Sequence, residues 1–370
     1  MSKTTLFLFT ILSCMLSLTA IHPLFAADED FRSFVKQEKE QFSSFIDEQE
    51  KDYAAYQAAV RAKWGEFIGS SKKVWVDYGA EKESRSQVDF KAGKISIEVL
   101  IPKDEKDPRQ EASEKIKRQL KRMMSDRWPT GKNLLAGQVS VDGKKTLSQK
   151  NVDEFVFRRL RQKLKISSKL IPQQSAPPKR VVSVVLEMVP GHLKIRAERY
   201  KSTVLKYCKQ RNIDPSIVFG VIHTESYFNP MARSHVPAYG LMQLVPVSGG
   251  RDAYRFVFKE DKKPSPKFLY NPENNINLGV GYLALTKNVY FAGIDNPGIA
   301  YLLTVAAYNT GAGNVARALT GKIHLKTAVK KAQNMTTEDI HLALRKKLPY
   351  KETQHYIQRV FRRSKIYRGL

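Results

Sequence analysis

The stretch Asp214-Pro215-Ser216-Ile217-Val218-Phe219-Gly220-Val221-Ile222-His223-Thr224-Glu225-Ser226-Tyr227-Phe228-Asn229-Pro230 decides how the second half of this chain is read. Asp214 has the short acceptor side chain that caps free helix amides, and Pro215 fits the first helical position. Ile217, Val218, Val221 and Ile222 recur at helical spacing, and Phe228-Asn229-Pro230 breaks the run. Glu225 lies four residues after Val221 and three after Ile222, so it continues the apolar stripe. There, desolvation and the negative end of the helix dipole both disfavour the ionised carboxylate. Such a carboxyl group keeps a proton near neutrality and can deliver it. Taken alone, a salt-bridged or exposed glutamate is the plainer reading of the same residue.

Working outward, strand signals vanish from Gly191 onward and helix signals dominate. Before that point they are mixed. Phe31 to Ile68 carries aromatic and aliphatic residues at helical spacing, which predicts one or two amphipathic helices. Val74–Tyr78, Ser86–Phe90 and Ile95–Ile101 read as strands, with Ala92-Gly93 as a hairpin turn between the last two. A helix is predicted over Glu111–Arg127, with Met123 and Met124 in the core. A short strand near Gln138–Val141 precedes a turn at Asp142-Gly143, and a basic helix runs from Val152 to Leu164. After a loop at Pro172–Pro178, the β-rich run Val181–Val189 completes the sheet. The fold class is α+β: a mixed N-terminal domain with a small antiparallel sheet over residues 27–190, then an all-helical domain over residues 191–370.

The 370 residues suffice for two ordinary domains. With 42% hydrophobic and 10% aromatic residues the chain is no disordered polycation, and 20 glycines exclude a collagen-like repeat. Lys and Arg exceed Asp and Glu by 63 to 36, a net charge of +27. Residues 191–370 hold 29 of those bases and 11 of the acids, so the helical half is expected to meet an anionic partner. Residues 1–26 read as a secretory signal, with Leu24-Phe25-Ala26 ahead of the acidic Asp28-Glu29-Asp30. A lipoprotein reading competes, with Ile11-Leu12-Ser13-Cys14 as acylation box. Export to a bacterial periplasm argues against nucleic acid and for an acidic envelope polymer, and a lipid at Cys14 would tie the chain to a membrane. No oligomeric state is implied.

Three further fragments accompany Glu225. Gly240-Leu241-Met242-Gln243 follows fifteen residues later, and Ala307-Tyr308-Asn309 ends a very apolar helix. Thr310-Gly311-Ala312-Gly313 follows that helix and no strand, so it is not a dinucleotide loop. His223-Thr224-Glu225 lacks the Pro-Cys-x-x-Cys partner of zinc deaminases, and neither an HExxH nor a G-x-S-x-G motif occurs. No metal and no cofactor are expected.

In this order, Glu225-Ser226-x-Phe228-Asn229-Pro230, Gly240-Leu241-Met242-Gln243 and Ala307-Tyr308-Asn309 resemble the lytic transglycosylases of the soluble-lytic, lysozyme-like superfamily, over roughly Gly191 to Leu370. Ile294-Asp295-Asn296-Pro297 and the mixed domain ahead of it look most like the membrane-bound type C group. The resemblance implies a lysozyme-like catalytic domain acting on peptidoglycan glycan strands, at the bond between N-acetylmuramic acid and N-acetylglucosamine. Glu225 matches the single catalytic acid, and the product it implies is a 1,6-anhydro ring made without water. Ser234 matches a serine that contacts the substrate N-acetyl group. Met242 and Gln243 would line the sugar cleft, although Met242 reads equally as core. Tyr308 would bond near Glu225, Asn309 would hold the turn, and Tyr356 matches a late aromatic beside the cleft. The arginine usual before that tyrosine is His355 here. Phe228, Tyr239 and Phe291 are candidates to stack on sugars or to pack. The readings that compete are a hydrolysing muramidase, whose mark is a second carboxylate placed to activate water, an inactive cell-wall-binding protein, and a DNA-binding protein favoured by charge alone.

Overall fold

The structure, a computed structural model, describes residues 53–125, 133–141, 145–173 and 177–370, with single helical positions at 40, 43 and 44. The signal and acylation readings, half of the first amphipathic segment and the Asp142-Gly143 turn lie outside those residues. The first described helix, α1, covers 53–64. Strands β1 (Val74–Tyr78), β2 (Ser84–Asp89) and β3 (Lys94–Pro102) form an antiparallel meander. Gly93 makes the turn before β3 with a left-handed φ of 68°.

Helix α2 (Pro108–Met123) follows, starting three residues earlier than predicted. Asp107 accepts a hydrogen bond from the Gln110 amide and Pro108 takes the first position, the same cap-and-proline device as Asp214-Pro215. The basic helix α3 spans Val152–Phe155, a π-helical turn at Val156–Leu160 and Arg161–Lys163. Strands β4 (Lys165–Ile171) and β5 (Lys179–Glu187) complete a five-stranded antiparallel sheet in the order β1-β2-β3-β5-β4.

Two expectations change here. Gln138–Val141 is no strand: Val139 and Ser140 form isolated bridges with Met188 and Thr146. Met188 lies just past the end of β5, so no longer ladder can form. Strand β4 was not predicted, because only its last residue is buried and an exposed edge leaves no alternating pattern.

Ile95, Ile97, Val99 and Ile101 of β3 point to one face and pack with Ile116, Leu120 and Met123 of α2. On the other face Leu100 joins Val60 and Trp64 of α1. The run of bases on α3 is partly neutralised, Arg158 by Glu154 and Arg161 by Asp107.

Residues 191–370 form a helical body. Its elements are α4 (His192–Arg211), α5 (Pro215–Ser226), α6 (Gly249–Phe258), α7 (Pro266–Tyr270), α8 (Pro272–Leu285), α9 (Pro297–Thr310), α10 (Ala312–Thr320), α11 (Leu325–Gln333), α12 (Thr337–Lys347) and α13 (Lys351–Ser364). Four of them, α5, α7, α8 and α9, start with a capping Asp, Ser or Asn followed by proline.

Helix α5 runs through the centre with almost every residue buried. It lies so close to α13 that a Cβ on Gly220 would fall 2.7 Å from the Val360 carbonyl oxygen. Gly220→Ala is therefore expected to lower stability by about 1–3 kcal/mol through overpacking. A denaturant midpoint equal to that of the unsubstituted protein would contradict this packing.

Candidate active site

Glu225 sits in the last turn of α5 and is only 6% exposed. Its helix end is fixed from several sides. The Ser226 hydroxyl, with hydrogen bonds of 3.0 and 2.8 Å to the Ile222 and Leu241 carbonyls, ties α5 to the Gly240–Gln243 turn. Arg363 donates to the His223 carbonyl at 3.1 Å and Arg196 to the Tyr227 carbonyl at 3.1 Å. Two guanidinium groups thus meet the negative end of the helix dipole. Tyr227 and Phe228 both adopt left-handed φ values, 53° and 62°, which turns the chain sharply away after the helix.

The partner of the carboxylate comes from the other half of the chain. Lys72 Nζ lies 3.2 Å from Glu225 Oε2, across 153 residues of sequence. The charge of Glu225 holds the Lys72 ammonium above its ordinary pKa, against the opposing effect of burial. Burial was expected for Glu225, and so, as the plainer alternative, was a salt bridge; the structure shows both.

Tyr308 and Tyr356 converge on the same carboxylate. Burial first, then the Glu225 charge, pushes both phenols well above their ordinary range, so both stay neutral donors. Tyr308 donates to the Met242 carbonyl at 2.7 Å, linking α9 to the Gly240–Gln243 turn. Tyr356 lies within reach of Glu225, yet its hydroxyl has no hydrogen bond of standard geometry. His223, two residues before Glu225, faces inward, with Nδ1 2.9 Å from the Tyr367 hydroxyl. Burial and the neighbouring arginines lower its pKa to about 3, which leaves the ring neutral at ordinary pH.

The remaining candidates build the loop beside α5. Gly240 has a φ of 78° and no room for a Cβ, which would come within 2.4 Å of Asn275 Nδ2 and of the Leu269 carbonyl. Met242 is fully buried with its sulfur against Gly279, so its backbone carbonyl, and not its side chain, faces Tyr308. Gln243 Nε2 donates to the Ala232 and Gly240 carbonyls at 3.1 and 2.9 Å, while its Oε1 is buried without a partner. The Ser234 hydroxyl bonds to the Val236 carbonyl and braces its own turn. Asn309 is half-buried at the end of α9. Neither Ser234 nor Gln243 bonds Glu225 directly. Phe228, Tyr239 and Phe291 are all core: Phe228 stacks on Tyr200, and Tyr239 meets Tyr270 edge to face.

Sequence reasoning missed Lys72 and Asn275. Asn275 clamps the turn, its Nδ2 donating to the Tyr239 and Leu269 carbonyls and its Oδ1 accepting from the Met242 amide at 2.7 Å. An asparagine immediately before the apolar run Ile276 to Leu285 was the available signal. Lys72, one of many lysines, offered none.

The ensemble is one buried carboxyl flanked by two neutral phenols and one ammonium, beside a loop held by side-chain bonds. It can give and take a single proton. The other carboxylate whose charge reaches Lys72, Glu352, is exposed on α13. Among the described residues no group of three His, Cys, Asp or Glu side chains could hold a metal ion.

A family profile described as "Transglycosylase SLT domain" matches residues 202–330. A second, "Membrane-bound lytic murein transglycosylase C, N-terminal domain", matches residues 35–199. A membrane-bound lytic murein transglycosylase C of Klebsiella pneumoniae (strain 342) is 31% identical over 316 residues, 82% of this chain and 85% of that one. One from Mannheimia succiniciproducens is 32% identical over the same coverage. Among solved structures, the 70 kDa soluble lytic transglycosylase of Escherichia coli is 27% identical at a TM-score of 0.35, covering 46% of this chain and 24% of that one.

Proposed function

Since this chain belongs to the membrane-bound lytic murein transglycosylase C family and is a lytic transglycosylase, we propose that it cuts the β-1,4 bond between N-acetylmuramic acid and N-acetylglucosamine without water, using Glu225 alone as acid and base. The observation that carries this reading is the placement of Glu225 as one buried carboxyl beside two neutral phenols and the Lys72 ammonium. Protonated Glu225 gives its proton to the glycosidic oxygen, and the N-acetylglucosamine side leaves as the neutral alcohol. The carboxylate then takes the proton of the muramoyl 6-hydroxyl as that oxygen closes on the anomeric carbon. Proton count and charge balance, and the product is a 1,6-anhydro ring. Tyr356, neutral and buried with an unpartnered hydroxyl, supplies a donor beside the charge that appears on Glu225 after the first transfer, while Tyr308 fixes the neighbouring turn through the Met242 carbonyl. The unpartnered Gln243 Oε1 is a polar atom that a sugar hydroxyl can satisfy. Ser234, the Met242 turn and Asn309 shape the cleft wall in this reading.

The reading extends to place. The chain is exported, acts in the periplasm with an outer-membrane attachment, and its helical domain starts after Pro190. Purified protein is expected to release soluble fragments from murein sacculi, and sacculi left intact after long incubation would overturn the proposal. The excess of bases in the helical half supports an electrostatic share in binding to this anionic polymer. Affinity for sacculi is therefore expected to fall as salt rises from about 0.05 to 0.5 M. Binding that ignores salt would contradict that role.

A further inference from the structure

Lys72 belongs to the sheet region, yet it touches the carboxylate at the centre of the helical half. The segment that carries it is built to hold it there. The Ser71 amide donates to the Val74 carbonyl at 2.7 Å, and the Ser71 hydroxyl accepts from the Lys73 and Val74 amides. Lys72 is thus in the tip of a tight turn that leads into β1. The approach to that turn is anchored by Phe67, stacked on Tyr78, and by the Ile68 amide, which donates to the Tyr78 hydroxyl at 3.0 Å. Two more contacts seat the same region on the helical half. Lys73 Nζ lies 5.7 Å from the centre of the Tyr227 ring, and the Arg233 guanidinium lies 4.6 Å from that of Tyr53.

We propose that Lys72 is a positioning residue of the active site, a cation presented by the sheet region that stabilises Glu225 as a carboxylate and thereby sets the pH range in which the enzyme works. The inference rests on the acid and base role proposed above for Glu225. After the first proton transfer that role needs a carboxylate that persists until the muramoyl hydroxyl is deprotonated, and an ammonium at 3.2 Å supplies the stabilisation. The same cation opposes uptake of the next proton, so its cost falls on the alkaline side of the activity profile.

Three of the other groups facing this pair keep one charge state across that limb. Tyr308 from α9 and Tyr356 from α13 are held neutral, and His223 on α5 charges only at about pH 3. Glu352 and Arg359, both on α13, face Lys72 with opposite charges whose effects on it oppose each other.

The test is the pH dependence of kcat/KM on soluble glycan fragments for the full chain, Lys72→Met, Lys72→Arg and the remote, exposed Lys91→Met. The alkaline limb is expected to move to higher pH in Lys72→Met, since that variant removes the cation 3.2 Å from the carboxyl. Lys72→Arg restores the limb and Lys91→Met leaves it in place. A Lys72→Met limb that superimposes on that of the unsubstituted protein overturns the proposal. So does a loss of activity at every pH with the limb unmoved, which marks a structural role. A protein that releases nothing before any substitution overturns the Glu225 reading itself.

Discussion

Glu225→Gln is expected to keep the fold and the affinity for sacculi while turnover falls by about two to four orders of magnitude. The substitution preserves volume at a site that is 6% exposed, so it leaves no cavity. It removes one partner of the Lys72 pair, but the Lys72 side chain is 39% exposed and its ammonium can turn to water. The stability change is therefore expected to stay within about 1 kcal/mol, because the charge left without its partner is the partly exposed ammonium. What the amide cannot do is release a proton to the glycosidic oxygen or accept one from the muramoyl hydroxyl. Lysis within threefold of that by the unsubstituted protein would remove Glu225 from its role.

The second large effect belongs to Arg196, which is 2% exposed where the sheet region meets α5. Its guanidinium donates to the Phe90 carbonyl at 2.8 Å, the Gln138 Oε1 at 2.8 Å and the Tyr227 carbonyl at 3.1 Å. It also lies 5.0 Å from the centre of the Phe90 ring. Arg196→Ala leaves three acceptors without a donor in the interior, each costing about 1 kcal/mol or more. A loss of about 3–5 kcal/mol is expected, read as a lower denaturant midpoint. Because Tyr227 follows the Glu225 turn so closely, activity should fall with it. A midpoint that does not move would show that these bonds carry little of the junction.

Much of the helical half was legible because its signals are local. Asp214-Pro215 starts α5, the Ile217 to Ile222 stripe buries it, and Glu225 extends the stripe by helical geometry alone. The Asp107-Pro108 start of α2 carried the same local signal and was passed over in favour of the apolar pattern downstream. Strand β4 could not be found that way, since its pairing with β5 is the only thing that makes it a strand.

The site was legible on the helical side and illegible on the other. Lys72 reaches Glu225 only because five strands and α1 set the turn at residue 72 against the end of α5, and a contact across 153 residues leaves no periodic trace. Asn275 was hidden in a different way, its donors and acceptor being claimed by three backbone groups of two other segments.

The account turns on one carboxyl doing both proton transfers, and the mass of the soluble products tests it most directly. Muropeptides released from sacculi by the purified protein should end in 1,6-anhydro-muramic acid, lighter by one water than reducing ends. Products with reducing ends would contradict the account, make the protein a muramidase, and turn attention to Glu352 as the group that activates water.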